Sequence, residues 1–369
     1  MLILGLSACS NVIKPSFNEA EVDTSVTAPS DYKGTLHIFE WSAYDDQLFW
    51  DSGDDAFHNS YPYVSVEFNF ITDGVDAINQ LKSHKTVDLV HSCYDNIENY
   101  YDDDLIEPIN VSLIPNWKFI DESIVQNVDI NISTNKVYFI PVDWGYYSFT
   151  YREDLLDKIG IPENDRNTYD LLFNPKLKGK IMIIDSASEF YTIASIAAGI
   201  PKENLWRLSD SELNILKNKL QEQKSLINSY WIESYDAISP MASGEIAVVY
   251  DWGEIYITLK NMGINVSFAR SREGSSLWVC GFSIPKGLKE RDFEMYLAVH
   301  AYINAWLSEE AGRHLIDDFF YGHSNRLSIN LAEVNSDMFN NTKVFKNPIL
   351  VKYSNRMDAI TEIWDEIKN

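Results

Sequence analysis

The sequence predicts an α/β protein built as two domains or lobes, each a mostly parallel sheet flanked by helices. Three observations carry that reading. Strands and helices alternate from Gly34 onward, the βαβ rhythm that puts parallel strands in the middle and helices on both faces. The chain of 369 residues is longer than one hydrophobic core comfortably organises. Several strands also end in the same chemistry, aromatic rings beside carboxylates, at the place where open parallel sheets bind ligands.

The first strand is TLHIF, residues 35–39, and the second is YVSVEFNFI, 63–71, rich in β-branched and aromatic residues. Residues 73–84 form a helix with Val75, Ile78 and Leu81 on one face, and VDLVHS, 87–92, is a third strand. The pattern restarts at Val137 with the strand VYFIPVDWG. SFTYREDLLDKIGI follows as a strand running into a helix that stops near Gly160. KGKIMIID, 178–185, is a strand ending in an acid, and 187–199 is a helix closed by glycine. A helix over 209–226 opens with the cap-like pair Ser209 and Glu212. EIAVVYDWG, 245–253, is another strand, and a long helix spans 292–316. Its stripe of Tyr296, Val299, Ile303, Trp306 and Leu307 reads as core packing.

The strand ends define the candidate site. Trp41 and Tyr44 follow the first strand, and Ser92 and Tyr94 follow VDLV. Asp143 and Trp144 follow YFIPV, Asp185 and Glu189 follow IMII, and Tyr250, Asp251 and Trp252 end AVVYDW. Repetition of that couple points to one shared cleft lined by rings and acids. Ring faces attract cations by roughly 0.5–2 kcal/mol each. Carboxylates accept charge-assisted hydrogen bonds from ammonium groups. The combination describes an amine slot, although sugars also stack on tryptophan. Asp45 and Asp46 read as the start of the next helix, favoured by its dipole, rather than as ligands.

Composition removes other classes. Lys and Arg number 30 against 55 Asp and Glu, a net charge of −25, which argues against nucleic acid or anionic lipid as the main partner. There are three cysteines and no CxxC, and the seven histidines form no HExxH couple, so no metal or cofactor is expected. No GxSxG, P-loop or GxGxxG follows a strand, and no catalytic residue is assigned. Two enzymatic options stay open: paired carboxylates in a two-lobed α/β enzyme, and a Cys93 thiolate beside His91. A small buried thiol is the commoner fate. Cys93 and Cys280 could pair only if the fold brings them together. No later stretch has the ~18 apolar residues of a membrane span.

Two resemblances complete the reading. MLILGLSACS resembles the end of a bacterial lipoprotein signal with Leu6-Ser7-Ala8-Cys9 as lipobox, which implies lipidation of Cys9. The basic n-region is missing, and a start further upstream is expected. Residues 10–33 then form a tether. After Gly34, the motifs FEWSAY, DLVHSCY, YFIPVDWGYYSFTYRED, PKLKGKIMIIDSASE, SGEIAVVYDWG and LWVCGFSIPKG occur in order. That series resembles the bacterial periplasmic solute-binding proteins of the polyamine (spermidine/putrescine) type, the receptors of ABC importers.

The resemblance implies a two-lobed periplasmic-binding-protein-like fold of type II with the ligand cleft between the lobes. Lobe one is expected over 34–141 and 279–328, and lobe two over 142–278 and 329–369. Trp41, Tyr44, Ser92, Tyr94 and Glu189 match ligand residues of that family. Trp278 matches a ring flanking the polyamine chain, and one or more of Tyr250, Asp251 and Trp252 fills a further slot. Where the family has acids, this chain has Ser186 and Cys280, and Ser354 is shorter than the family's residue. Asp143 and Asp251 are expected to supply replacement charges, for a ligand differing in length or charge from spermidine. The implied function is delivery of a small cationic amine to the permease subunits of an ABC importer by an open–closed hinge. The protein is expected to be a monomer, lipid-anchored in the periplasm or on the outer face of the envelope. The alternative is a receptor for another small solute, such as an amino-acid-like compound or a sugar.

Overall fold

The computed structural model describes residues 31–72, 74–83, 86–132, 134–332 and 338–368. The lipobox at Cys9 and the tether up to residue 30 lie outside the described residues. Strands β1 (Gly34–Glu40), β2 (Val64–Phe70) and β3 (Leu89–Cys93) form a parallel block in the order β2-β1-β3. A short β4 (Ile106–Glu107) precedes the long β5 (Ile140–Arg152). A second parallel block contains β6 (Ile181–Ile184), β7 (Ser229–Trp231) and β8 (Val248–Asp251), in the order β8-β6-β7. β9 (Val266–Phe268) pairs with β5, and β10 (Ser275–Pro285) runs antiparallel to both β3 and β5. β11 (Gly322–His323) and β12 (Pro348–Leu350) flank β5 and β10. β5 and β10 are thus the antiparallel bridge between two parallel blocks.

The apolar side chains gather into two cores. Leu36, Ile38, Leu89, Val142, Phe282, Val299 and Trp306 belong to the first. Phe149, Ile181, Ile183, Phe190, Val248 and Trp364 belong to the second. β6, IMII, is a continuous apolar run buried along its whole length, as expected of a central parallel strand. β5 serves both cores, giving Val142, Trp144 and Tyr146 to the first and Phe149 and Tyr151 to the second.

Three expectations change. The two elements read across 137–152 are one strand of thirteen residues, since Gly145 lies flat in the ladder opposite Trp278 and makes no turn. The helix expected over 292–316 stops at Trp306, because Ser308 caps a new helix, Glu309–His314, by accepting from the Ala311 N–H at 3.1 Å. Residues 338–345, expected in lobe two, pack in the first core instead. There Trp144 meets Phe345 edge-on at 5.4 Å, and its Nε1 donates to Asn341 Oδ1 at 2.8 Å. After this segment the chain returns to the second core at Ile349. Asp46 does open an element, but a single turn of 3-10 helix, Gln47–Phe49, with its side chain accepting from the Leu48 N–H. The capping box at Ser209 and Glu212 opens the helix Asp210–Lys224.

Candidate functional site

A cavity of about 790 Å³ lies between the two cores, and its size suits a small solute. Its floor is a row of residues in register across three strands. Cys280 on β10 stands opposite Cys93 on β3 and opposite Asp143 on β5. Cys93 and Cys280 form a disulfide, so the thiolate option for Cys93 is corrected. The ring of His91 is turned elsewhere, onto two carboxylates.

On β5 side chains alternate, so Asp143, Gly145 and Tyr147 share one face while Trp144 and Tyr146 go into the first core. Asp143 and Tyr147 line the cavity. Gly145 makes room for a ring: a Cβ there would lie 2.3 Å from Trp278 Cζ2. Trp278 stands edge-on to Tyr321 at 4.8 Å, and both line the cavity. Trp41 and Tyr44 come from the loop after β1, where Ala43 turns the chain with φ of 74°.

Asp143 is held in a buried chain of polar groups. Tyr44 donates its hydroxyl to Asp143 Oδ2 at 2.9 Å, and His91 Nε2 meets Asp143 Oδ1 at 3.0 Å. His91 Nδ1 meets Glu40 Oε1 at 2.7 Å. Burial alone would strip the proton from His91, but Glu40 and then Asp143 outweigh it and raise the imidazole pKa to about 10. Burial pushes the Glu40 carboxyl upward, against the pull of His91. An imidazolium therefore sits between two acids, and Asp143 has its cation from within the chain.

Glu189 is different. It stands in the first turn of the helix Ala187–Ala197, just beyond the end of β6. Trp252 Nε1 donates to its Oε2 at 2.8 Å. Burial lifts its pKa to about 7, against hydrogen bonds from Trp252 and Ser186. It makes no ion pair among the described residues. A half-buried carboxylate beside an indole, without an internal cation, suits an incoming ammonium.

The other acid near β6, Asp185, is occupied. Lys368 Nζ approaches its Oδ2 at 2.7 Å, and Trp364 Nε1 donates to its Oδ1 at 3.3 Å. Lys352 also lines the cavity and pairs with Glu98 at 3.2 Å, its ammonium 5.2 Å from the centre of the Tyr94 ring.

Of the residues picked from sequence, the cavity gathers Trp41, Tyr44, Asp143, Glu189, Trp252 and Trp278. Four others have different tasks. Ser92 is fully buried within β3, and Tyr94 accepts from the Asp129 N–H at 3.2 Å. β3 ends at Cys93, which faces the cavity, and the 3-10 turn Tyr94–Asn96 that follows brings Asp95 and Asn96 to it rather than Tyr94. Tyr250 is buried in the second core. Asp251 caps the helix Glu254–Asn261, accepting from the N–H groups of Gly253 at 2.9 Å, Ile255 at 3.1 Å and Tyr256 at 2.8 Å. It also accepts from Thr150 at 2.8 Å, so the expected replacement charge at Asp251 is spent on the fold. Ser354 is buried and accepts from the Arg356 N–H, and Ser186 bonds Ser188.

Sequence reasoning missed Tyr147, Asp95, Tyr321, Lys352 and Lys368. Tyr147 was within reach, being four residues from Asp143 on one face of a strand. The lysines carried no signal, because their partners lie far off in the chain. Among the described residues, no group of three His, Cys, Asp or Glu could hold a metal, and no helix is long and apolar enough to cross a membrane.

The chain is similar to known solute-binding proteins. A family model described as bacterial extracellular solute-binding protein matches residues 59–342. The putrescine-binding periplasmic protein PotF of Escherichia coli (strain K12) is 23% identical over 313 residues, covering 81% of this chain and 80% of that one. The Tp0655 (TpPotD) lipoprotein of Treponema pallidum superposes with a TM-score of 0.73 at 18% identity, over 90% of this chain and 99% of that one. The spermidine/putrescine ABC transporter substrate-binding protein PotD of Streptococcus pneumoniae strain Canada MDR_19A gives 0.69 at 19%, over 91% and 99%. The fold is the two-lobed one of periplasmic binding proteins, and the relatives are of the polyamine type.

Proposed function

This chain belongs to the bacterial extracellular solute-binding protein family, and we propose that it captures a small cationic amine for an ABC importer. The observation that carries the ligand class is Glu189: a carboxylate at the cavity wall, bonded to the Trp252 indole, with burial raising its pKa to about 7 and no ion pair among the described residues. An ammonium held there makes a charge-assisted bond and relieves the penalty of burying the charge. The rings of Trp41, Trp252, Trp278 and Tyr321 surround the remainder of the solute.

Capture works by shifting an open–closed equilibrium of the two lobes, with β5 and β10 as the connection that flexes. The separation of the apolar residues into two cores joined by those strands supports this. Closure brings Glu189 from one side toward Trp41 and Trp278 on the other, and the permease reads the closed form. Lipidation of Cys9 would tether the receptor to the outer face of the envelope.

The test is a thermal-shift screen of the purified protein with amines, diamines, polyamines, amino acids, betaines and sugars. Stabilisation is expected with amines, growing with concentration as RT ln(1 + [L]/Kd). A shift with sugars alone would overturn the amine reading and leave the receptor reading in place. Turnover of any of these compounds would move the protein into the enzyme class.

A further inference from the structure

The charged groups around the cavity are nearly all matched from within the chain. Asp143 has the His91 imidazolium, and Lys352 has Glu98. Asp95 is also engaged, and Asp365 is at an exposed rim, in water. Asp185 has Lys368, whose position is fixed three ways. Its ammonium approaches both Asp185 oxygens, it lies 5.7 Å from the centre of the Tyr230 ring, and its carbonyl accepts from Lys224 Nζ at 3.1 Å. It also ends the helix Met357–Lys368, where the dipole favours a cation. Glu189 makes no ion pair among the described residues, and its printed side-chain partner is the Trp252 indole.

We propose that the cavity takes a solute with one ammonium or guanidinium head and an uncharged body, and that Lys368 sets this limit by occupying Asp185. The inference rests on the amine reading above and narrows it. A second ammonium on the solute would have to displace a tethered one. A tethered group competes at an effective concentration of order millimolar or more, so a dilute diamine gains nothing from Asp185. Its second charge would instead stay desolvated and unpaired between rings, which is unfavourable.

Titration calorimetry of the full chain with 1-aminobutane, 1,4-diaminobutane and 4-aminobutanoate tests this. The three probes share chain length and differ only at the far end. The mono-amine is expected to bind at least tenfold tighter than either of the others. Lys368→Met uncovers Asp185 and should move the diamine-to-mono-amine affinity ratio at least tenfold toward the diamine. Lys368→Arg should keep the native ratio, and Lys368→Met with Asp185→Asn should restore it. Equal or tighter diamine binding by the native protein, or an unchanged ratio in Lys368→Met, overturns the inference and leaves the amine reading standing. Preference for 4-aminobutanoate overturns it in favour of a zwitterion read by the cavity lysines. Binding of none of the three overturns the amine reading along with it.

Discussion

Asp143, on the wall built by the first core, and Glu189, on the wall built by the second, are carboxylates turned toward one cavity in opposite electrostatic states. Asp143 is fully buried and matched by the His91 imidazolium, with Tyr44 on its second oxygen. Glu189 has an indole N–H and, among the described residues, no ion pair. Burial acts on both. What separates them is whether the chain supplies the positive charge, and the acid it leaves unmatched is the one available to a ligand. The first wall is thus a preorganised frame, while the second is receptive.

The largest break in that comparison is at His91. His91→Leu leaves Glu40 and Asp143 buried without their cation, and should cost about 3–5 kcal/mol of folding stability. The sign with pH is fixed by the raised imidazole pKa. His91 is held protonated up to about 10, so its contribution is full below about pH 6.5 and is lost as pH rises toward 10. Urea unfolding at pH 6 and pH 9.5 should show that loss in the native protein and not in the variant. An equal loss in both would place the pH dependence elsewhere.

Glu189→Gln tests the other wall. It should weaken binding of a mono-amine by roughly 30-fold or more, because truncating one partner of a desolvated charge pair costs about 2–5 kcal/mol. The native protein's Kd should rise as pH falls below about 7, because protonated Glu189 cannot pair with an ammonium. The free protein behaves in the opposite sense. A carboxyl pKa raised by burial means that ionisation opposes folding, with no effect below about pH 4.5 and the full effect above about pH 7. Glu189→Gln should therefore raise the melting temperature of the free protein at pH 8 and leave it unchanged at pH 4.5. A variant that melts lower at pH 8 would make Glu189 a structural residue like Asp143.

The smallest effect sharpens the comparison without touching either acid. Gly145→Ala places a methyl group against Trp278, which must shift. The expected loss is about 0.5–1 kcal/mol of ligand affinity, the scale of one ring contact. Calorimetry should show it with little change in unfolding midpoint, and an unchanged Kd would remove Trp278 from the ligand's surroundings.

Much of this site was legible in the sequence, for a local reason. Strand periodicity and strand ends are properties of a few adjacent residues, so Trp41, Tyr44, Asp143, Glu189, Trp252 and Trp278 could be placed at one cleft. The misses follow from the same locality. Asp251 has the composition of a ligand residue, and the N–H groups of the next helix turn it into a cap. Ser92 sits one residue out of phase with Cys93, where a one-residue error on a strand reverses the side chain, and Tyr94 falls in the 3-10 turn Tyr94–Asn96, where strand alternation no longer holds.

Sequence by itself determined the α/β class, the alternation that makes two parallel blocks, and the kind of chemistry at the strand ends. It could not determine which acids keep a free charge. That depended on pairs such as His91 with Asp143, 52 residues apart, and Lys368 with Asp185, 183 apart. The Cys93–Cys280 disulfide spans 187 residues. The physical reason is that hydrophobic periodicity is written along the chain, whereas charge compensation acts through space and exists only once the two cores have brought distant side chains together.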